Sequence, residues 1–262
     1  MGRLERWGLR GILRQAIPRP IRRAGWDGYY YARYGMWKAI AGVQTSEQVV
    51  ALTFDDGPDP RYTLPILDIL ARYQVKATFF LIGRGIISYP EQAREVVRRG
   101  HALGNHTFTH RRLVGCTPTV VAAELTRCRR AMQAIMGVTP RFMRPPFGEY
   151  DPISYLTARA LGYAIANWSA SGEDWQGDSA QVVAGRILAD IQAGHIILLH
   201  DGWEPPHTQT EWQPEYSRFQ DRSPMMEALP IIISQLQSAG FRFLTLPEMV
   251  RMGSLVSRSW SS

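Results

Sequence analysis

Thr53-Phe54-Asp55-Asp56-Gly57-Pro58 and His106-Thr107-Phe108-Thr109-His110 hold the residue types and spacings most suited to chemistry. Adjacent carboxylates and two imidazoles four residues apart form the donor set of a hydrolytic metal centre. On a helical turn, positions i and i+4 share one face, so the spacing predicts that His106 and His110 aim ring nitrogens at one cation from a helix. No Glu follows the first His, unlike in H-E-x-x-H, so the base that activates water must come from elsewhere. The Asp55–Asp56 pair offers one carboxylate for the metal and one for a proton.

Such residues need a rigid frame. From residue 49 onward short apolar runs alternate with longer amphipathic stretches, the pattern of a β/α fold with a largely parallel sheet. Strands are expected at 49–54, 77–82, 101–105, 141–143, 163–168, 195–200 and 241–244, and helices at 64–73, 90–99, 118–136, 179–192 and 224–239. Asp55, Asp56, His106, Arg144 and His200 then each fall at or just past the C-terminal end of a strand. In β/α barrels the loops at that end ring one mouth, where catalytic residues gather.

At this point the chain resembles the polysaccharide deacetylases that share the NodB homology domain, carbohydrate esterase family 4, over about residues 48 to 250. The family's T-F-D-D-G-P and H-[ST]-x-x-H motifs stand here unaltered. Arg144-Pro145-Pro146-Phe147-Gly148 resembles its third motif, the stretch from Ser171 to Trp175 its fourth, and Leu198-Leu199-His200-Asp201-Gly202 its fifth. The resemblance implies a distorted (β/α) barrel of about seven parallel strands. It also implies removal of an N-acyl group, foremost acetyl, from an amino sugar in a poly-, oligo- or lipid-linked saccharide. Alternatives are an esterase or other non-peptide C–N hydrolase on the same fold, or a catalytically inactive carbohydrate-binding relative.

The same resemblance assigns roles. One divalent metal ion, usually zinc, would be held by Asp56, His106 and His110, with Asp55 as base and His200 as the acid for the departing amine. Asp174 would orient His200, Arg144 would hold the base, and the Phe147 backbone N–H would bind the oxyanion. Trp175 and Leu198 would line the acyl pocket. One position departs from the pattern: the fourth motif usually reads D-x-x-D-W, and Ser171 stands where its first Asp is expected. That leaves open how Arg144 is held and whether Glu173 substitutes.

Length and charge organise the rest. The 262 residues suit one catalytic domain, taken as 47–252, with an arm at 1–46 and a tail at 253–262. Cys116 and Cys128 are too few for a disulfide framework and read as free thiols. The formal charge is +7, and residues 1–40 account for it, with eight Arg and Lys38 against Glu5 and Asp27. In the arm Arg3, Arg6, Arg10 and Arg14 share one helical face and Leu9, Ile12, Leu13 and Ala16 the opposite one. Trp26, Tyr29, Tyr30, Tyr31, Tyr34 and Trp37 follow. This suits an anionic membrane surface, with an arm packed on its own barrel as the alternative and nucleic acid a less favoured partner. The arm shows no signal peptide or transmembrane run, so a cytoplasmic or peripheral membrane location is expected. A long loop at 203–222, with Trp203, Trp212, Tyr216 and Phe219, is expected over the mouth; His207 within it is not expected to be a ligand.

Overall fold

The computed structural model describes residues 38–202 and 221–258. The helix and aromatics expected in the arm, and nearly all of the loop expected over the mouth, lie outside the described residues. In chain order the strands are β1 (Ala39–Gln44), β2 (Val49–Asp55), β3 (Thr78–Leu81), β4 (Ala102–Asn105), β5 (Phe142–Met143), β6 (Ala164–Ile165), β7 (Ala170–Ser171), β8 (Ile196–His200), β9 (Arg242–Leu244) and β10 (Ser254–Arg258). The helices are α1 (Thr63–Arg72), α2 (Gly83–Ser88), α3 (Pro90–Arg98), α4 (Pro118–Met136), α5 (Pro152–Ala160), α6 (Ala180–Ala189), α7 (Ser223–Ser238) and α8 (Leu246–Met249). No helix among the described residues is long and apolar enough to cross a membrane.

β2 is buried at every position, and the period-2 pleat divides its side chains between two cores. Val50, Leu52 and Phe54 pack beneath the helices, while Val49 and Ala51 join a second cluster with Phe80, Phe142 and Ile196 on the inner face. Thr53 and Asp55 continue that inner face toward the mouth. Parallel pairing runs β6-β5-β4-β3-β2-β8-β7, with β9 beside the first half of β2. All seven expected strands are present, joined by the two-residue β7, which leads into the fourth motif. The inner face is tightly filled: a Cβ on Gly104 would lie 2.2 Å from the Phe80 ring, so only glycine fits opposite it.

Helix boundaries follow local chemistry. α4 starts at Thr117, whose side chain accepts from the Val120 amide, with Pro118 in the first turn, and stops at Gly137 in the left-handed region (φ 69°). Cys128 on this helix is buried, Cys116 is half-buried, and both are free, as expected.

β1 falls within the segment read as arm, and β10 within the segment read as tail. They pair antiparallel, Ala39 facing Arg258 and Gln44 facing Ser254. β1 also spans the seam of the curled sheet: Asn167 N–H donates to Ile40 O (2.8 Å) beyond β6, and Val43 N–H donates to Gly194 O (2.9 Å) ahead of β8. Residues 39–44 therefore belong to the catalytic body.

Candidate active site

Parallel register sets the first relationship at the mouth. Asp55 lies opposite His200 on β8 and Phe80 on β3, so Asp55 and His200 emerge side by side on one face. Thr53 faces Leu198 in the same register, which puts Leu198 on the inner face below His200. Asp56 follows β2 with φ 75°, a left-handed conformation that turns the chain at once after the strand. Gly57 makes the next step sterically feasible, because a Cβ there would fall 2.1 Å from Asp201 Oδ2.

His106 and His110 do converge, but not from a helix. Residues 106–110 form a loop beyond β4 in which Thr107 (φ 67°) and His110 (φ 56°) are both left-handed. The helical expectation is corrected here: the i, i+4 spacing is met by a loop that folds back on itself. Asp56 Oδ1 lies 3.3 Å from His106 Nε2 and 3.2 Å from His110 Nε2. The three ligand atoms fall within 4.8 Å of one another, the one such group among the described residues.

The protonation pattern around this group fits a cation. His106 Nδ1 lies 2.8 Å from the Arg144 carbonyl oxygen. A carbonyl only accepts, so Nδ1 carries a proton and Nε2 is the ring nitrogen that faces Asp56. Burial disfavours the His106 imidazolium, but Asp55 and Asp56 outweigh it and raise the pKa above its ordinary value. Asp56 Oδ1 is itself buried with no hydrogen-bond partner among the described residues. Burial drives the His110 imidazole down to about 4 despite the Asp56 charge, leaving it neutral near pH 7. Burial also works to raise the Asp56 carboxyl, but at the acid pH where it would titrate His110, His106 and His200 are charged and hold it well below the usual carboxylate range. A buried orphan carboxylate oxygen between two imidazole Nε2 atoms is the donor set a divalent ion needs.

Arg144 follows β5 and is fully buried beneath Asp55. Its Nη1 donates to Asp55 Oδ1 (2.7 Å) and Thr53 Oγ1 (2.9 Å), Nε to Ala166 O (3.2 Å) and Nη2 to Asn167 O (2.9 Å). Its guanidinium carbon lies 4.2 Å from the Phe80 ring centroid. This resolves the departure in the fourth motif: backbone carbonyls beyond β6 hold Arg144. Ser171 Oγ instead accepts from Glu173 N–H (3.1 Å), and the Glu173 carboxylate faces Arg186 (3.6 Å), so Glu173 is no substitute.

Asp174 grips His200 twice, accepting from its backbone N–H (3.0 Å) and lying 2.9 Å from Nδ1. Burial disfavours the His200 imidazolium, but Asp174 and then Asp56 outweigh it and raise the pKa above its ordinary value. The Trp175 ring meets His200 edge-on at 5.3 Å. Phe147 is left-handed (φ 62°) and more than half exposed, its ring 4.9 Å from that of His110 and 4.9 Å from the Arg112 guanidinium carbon. All ten residues singled out from the sequence thus line or underlie one mouth.

Several supporting residues were assigned no role from the sequence. Asp201 accepts from Gly57 N–H (3.2 Å) and Thr63 Oγ1 (2.7 Å), and burial pushes its carboxyl up to about 7. Arg222, fully buried, donates to Gly202 O (3.0 Å) and Asp174 O (3.4 Å). Asn105 accepts from Thr107 N–H (2.8 Å) while donating to Leu125 O and Tyr163 Oη. Each lies far in sequence from at least one partner, so only the folded chain reveals it.

Comparison with known proteins agrees with this geometry. Residues 42–166 match the family model for polysaccharide deacetylase. The chain is 38% identical over 201 residues to a chitooligosaccharide deacetylase of Bradyrhizobium sp. (strain ANU 289), covering 76% of this chain and 90% of that protein. It is 34% identical over 200 residues to a peptidoglycan-N-acetylglucosamine deacetylase of Bacillus cereus, covering 76% of this chain and 67% of that one. A crystal structure of a peptidoglycan N-acetylglucosamine deacetylase superposes with a TM-score of 0.72 at 30% identity, covering 87% of this chain and 98% of that one. With the matched sequence, the shared fold and the assembled mouth in agreement, the chain belongs to the polysaccharide deacetylase family.

Proposed function

We propose that this protein is a metal-dependent hydrolase that removes the N-acetyl group from an amino sugar within a saccharide. The observation that carries the reading is the convergence, on one mouth, of Asp56 with His106 and His110, of Asp55 with Arg144, and of His200 with Asp174. Relatives whose names specify N-acetylglucosamine and chitooligosaccharide substrates support the choice of sugar.

Asp56, His106 and His110 would hold the ion, and their mixed O and N donors suit zinc. A divalent ion there supplies Lewis acidity toward the amide carbonyl and lowers the pKa of water. Asp55, fixed by Arg144, takes the proton from the attacking water. The Phe147 backbone N–H stabilises the developing oxyanion. His200, kept protonated by Asp174, gives a proton to the amine nitrogen as the C–N bond breaks, releasing free amine and acetate. Leu198 and Trp175 flank His200 and enclose the acetyl methyl.

The decisive experiment is an acetate-release assay on chitooligosaccharides, peptidoglycan and polyprenyl-linked N-acetylated sugars, with metal content measured on the same sample. Release from at least one class by metal-loaded protein, and none after chelation, is expected. Acetate release unaffected by verified metal removal overturns the reading. The charge of residues 1–40 supports an anionic membrane surface as a further partner, which favours the lipid-linked class.

A further inference from the structure

The loop that presents His106 and His110 is strained, with two non-glycine residues in the left-handed region. Such conformations cost free energy and persist only where surrounding contacts over-determine them. Part of the restraint comes from the sheet end. His106 N–H donates to Leu81 O (3.1 Å), Gly83 N–H to Thr107 O (3.0 Å) and Arg84 N–H to Phe108 O (2.9 Å). These bonds leave the N–H groups of Phe108 and Thr109, at the turn between the histidines, still to be satisfied.

Glu124, nearly two turns into α4, satisfies both. Its Oε2 accepts from Phe108 N–H (3.0 Å) and Thr109 N–H (2.8 Å), and its Oε1 accepts from Thr109 Oγ1 (3.0 Å). The carboxylate is buried, on the longest described helix, whose core face includes Val121, Leu125 and Cys128. A carboxylate with three donors and no competing acceptor is matched to this task. An amide could still meet it, its oxygen accepting from both N–H groups and its NH2 donating to the Thr109 hydroxyl, whereas an apolar side chain could meet none of it.

We propose that Glu124 is a positioning residue for the metal centre, fixing the 106–110 loop so that both imidazoles are oriented before any ion arrives. This rests on the metal-binding reading above. It acts through backbone and touches neither imidazole, so its effect should appear in metal affinity rather than in the identity of the ligands. Supporting residues of metal sites are worth roughly 10- to 100-fold in affinity.

The test is zinc and cobalt affinity, measured by chelator competition on the full chain, for the parent protein, Glu124→Leu and Met132→Ala. Met132 is fully buried two turns further along α4 and makes no hydrogen bond to the loop backbone, so it reports simple loosening of the helix. Glu124→Leu should bind both ions about 10- to 100-fold more weakly, whereas Met132→Ala should lower thermal stability but keep parent affinity. Parent affinity in Glu124→Leu, or equal losses in both variants, overturns the proposal. A second measurement needs no variant that folds. In the metal-free parent protein, the Phe108 and Thr109 amides should exchange hydrogen far more slowly than those of exposed Arg111 and Arg112; equally fast exchange overturns it. If the parent binds neither ion, the metal reading fails, and slow exchange would still show Glu124 holding the loop.

Discussion

Arg144 Nη1 donates to Asp55 Oδ1 across 2.7 Å with both side chains sealed from solvent. Because the other guanidinium hydrogen bonds go to the Thr53 hydroxyl and to backbone carbonyls, the cation is held independently of the carboxylate. Asp55 is the member free to change protonation while Arg144 stays in place. That division of labour underlies the first two predictions.

Asp55→Asn should reduce turnover by about 100- to 10,000-fold, the range a general base supplies, and leave bound metal near parent content. His106→Ala or His110→Ala should instead lower metal content. Metal analysis alongside acetate release checks both; loss of metal in Asp55→Asn to the level of His106→Ala would rule out separate roles for the two neighbouring carboxylates.

Arg144→Lys preserves charge but replaces a planar fork by one point donor group. Thr53, Ala166 and Asn167 cannot all be satisfied by one ammonium. A stability loss of about 3 kcal/mol is expected, at the lower end for breaking a buried pair, together with loss of activity. Urea unfolding measures it, and parent stability would show that the fork is dispensable.

His200 should act as an acid over a pH range set by Asp174. The neighbouring carboxylate raises the His200 pKa, so catalysis should fail on the alkaline side as that proton leaves. Asp174→Asn removes the negative charge, lowers the His200 pKa and should move the alkaline limb of kcat/KM to lower pH. An unmoved limb would mean that another group supplies the proton.

His101, remote from the mouth, predicts an acid sensitivity of the fold. Its Nδ1 accepts from Ala77 N–H (3.1 Å), and burial, with Lys76 and Arg99 nearby, lowers its pKa to about 4. A histidine depressed in the native state contributes stability that is complete above its unfolded pKa and is lost as pH falls to the folded one. The window is therefore about pH 6.5 down to 4, worth up to about 3 kcal/mol. His101→Asn keeps an acceptor without the titration, so its stability should fall less steeply across that window in denaturation at stepped pH.

The arm can be tested only with a deletion that spares β1. Removing residues 1–37 should abolish sedimentation with anionic vesicles, which the full chain should show at low salt and lose at high salt. Failure of the full chain to sediment at low salt would argue against a membrane role.

Legibility in the sequence tracked locality. Strands beneath the mouth were readable because apolar runs and helix caps are local signals, and the five motifs mark strand ends. His106 and His110 were readable as a pair, yet their spacing alone does not distinguish a helix from a loop with two left-handed residues. β1 was hidden for another reason: Ala39–Gln44 is short and glycine-containing, follows a basic segment, and finds its partner more than two hundred residues away. Glu124 and Asp201 look like ordinary acids until the fold aims backbone N–H groups at them.

The β1–β10 ribbon also has a mechanical consequence. Ala39 and Arg258 face each other at one end of it, so the chain enters and leaves the catalytic body at neighbouring points. Tension applied between those points would peel the ribbon one pair at a time, beginning at Ala39, rather than shear all its bonds together. Because β1 also spans the seam of the curled sheet, peeling would part that seam before it loaded the strands that carry Asp55 and His200. The ribbon thus acts as a mechanical fuse, failing first and sparing the mouth.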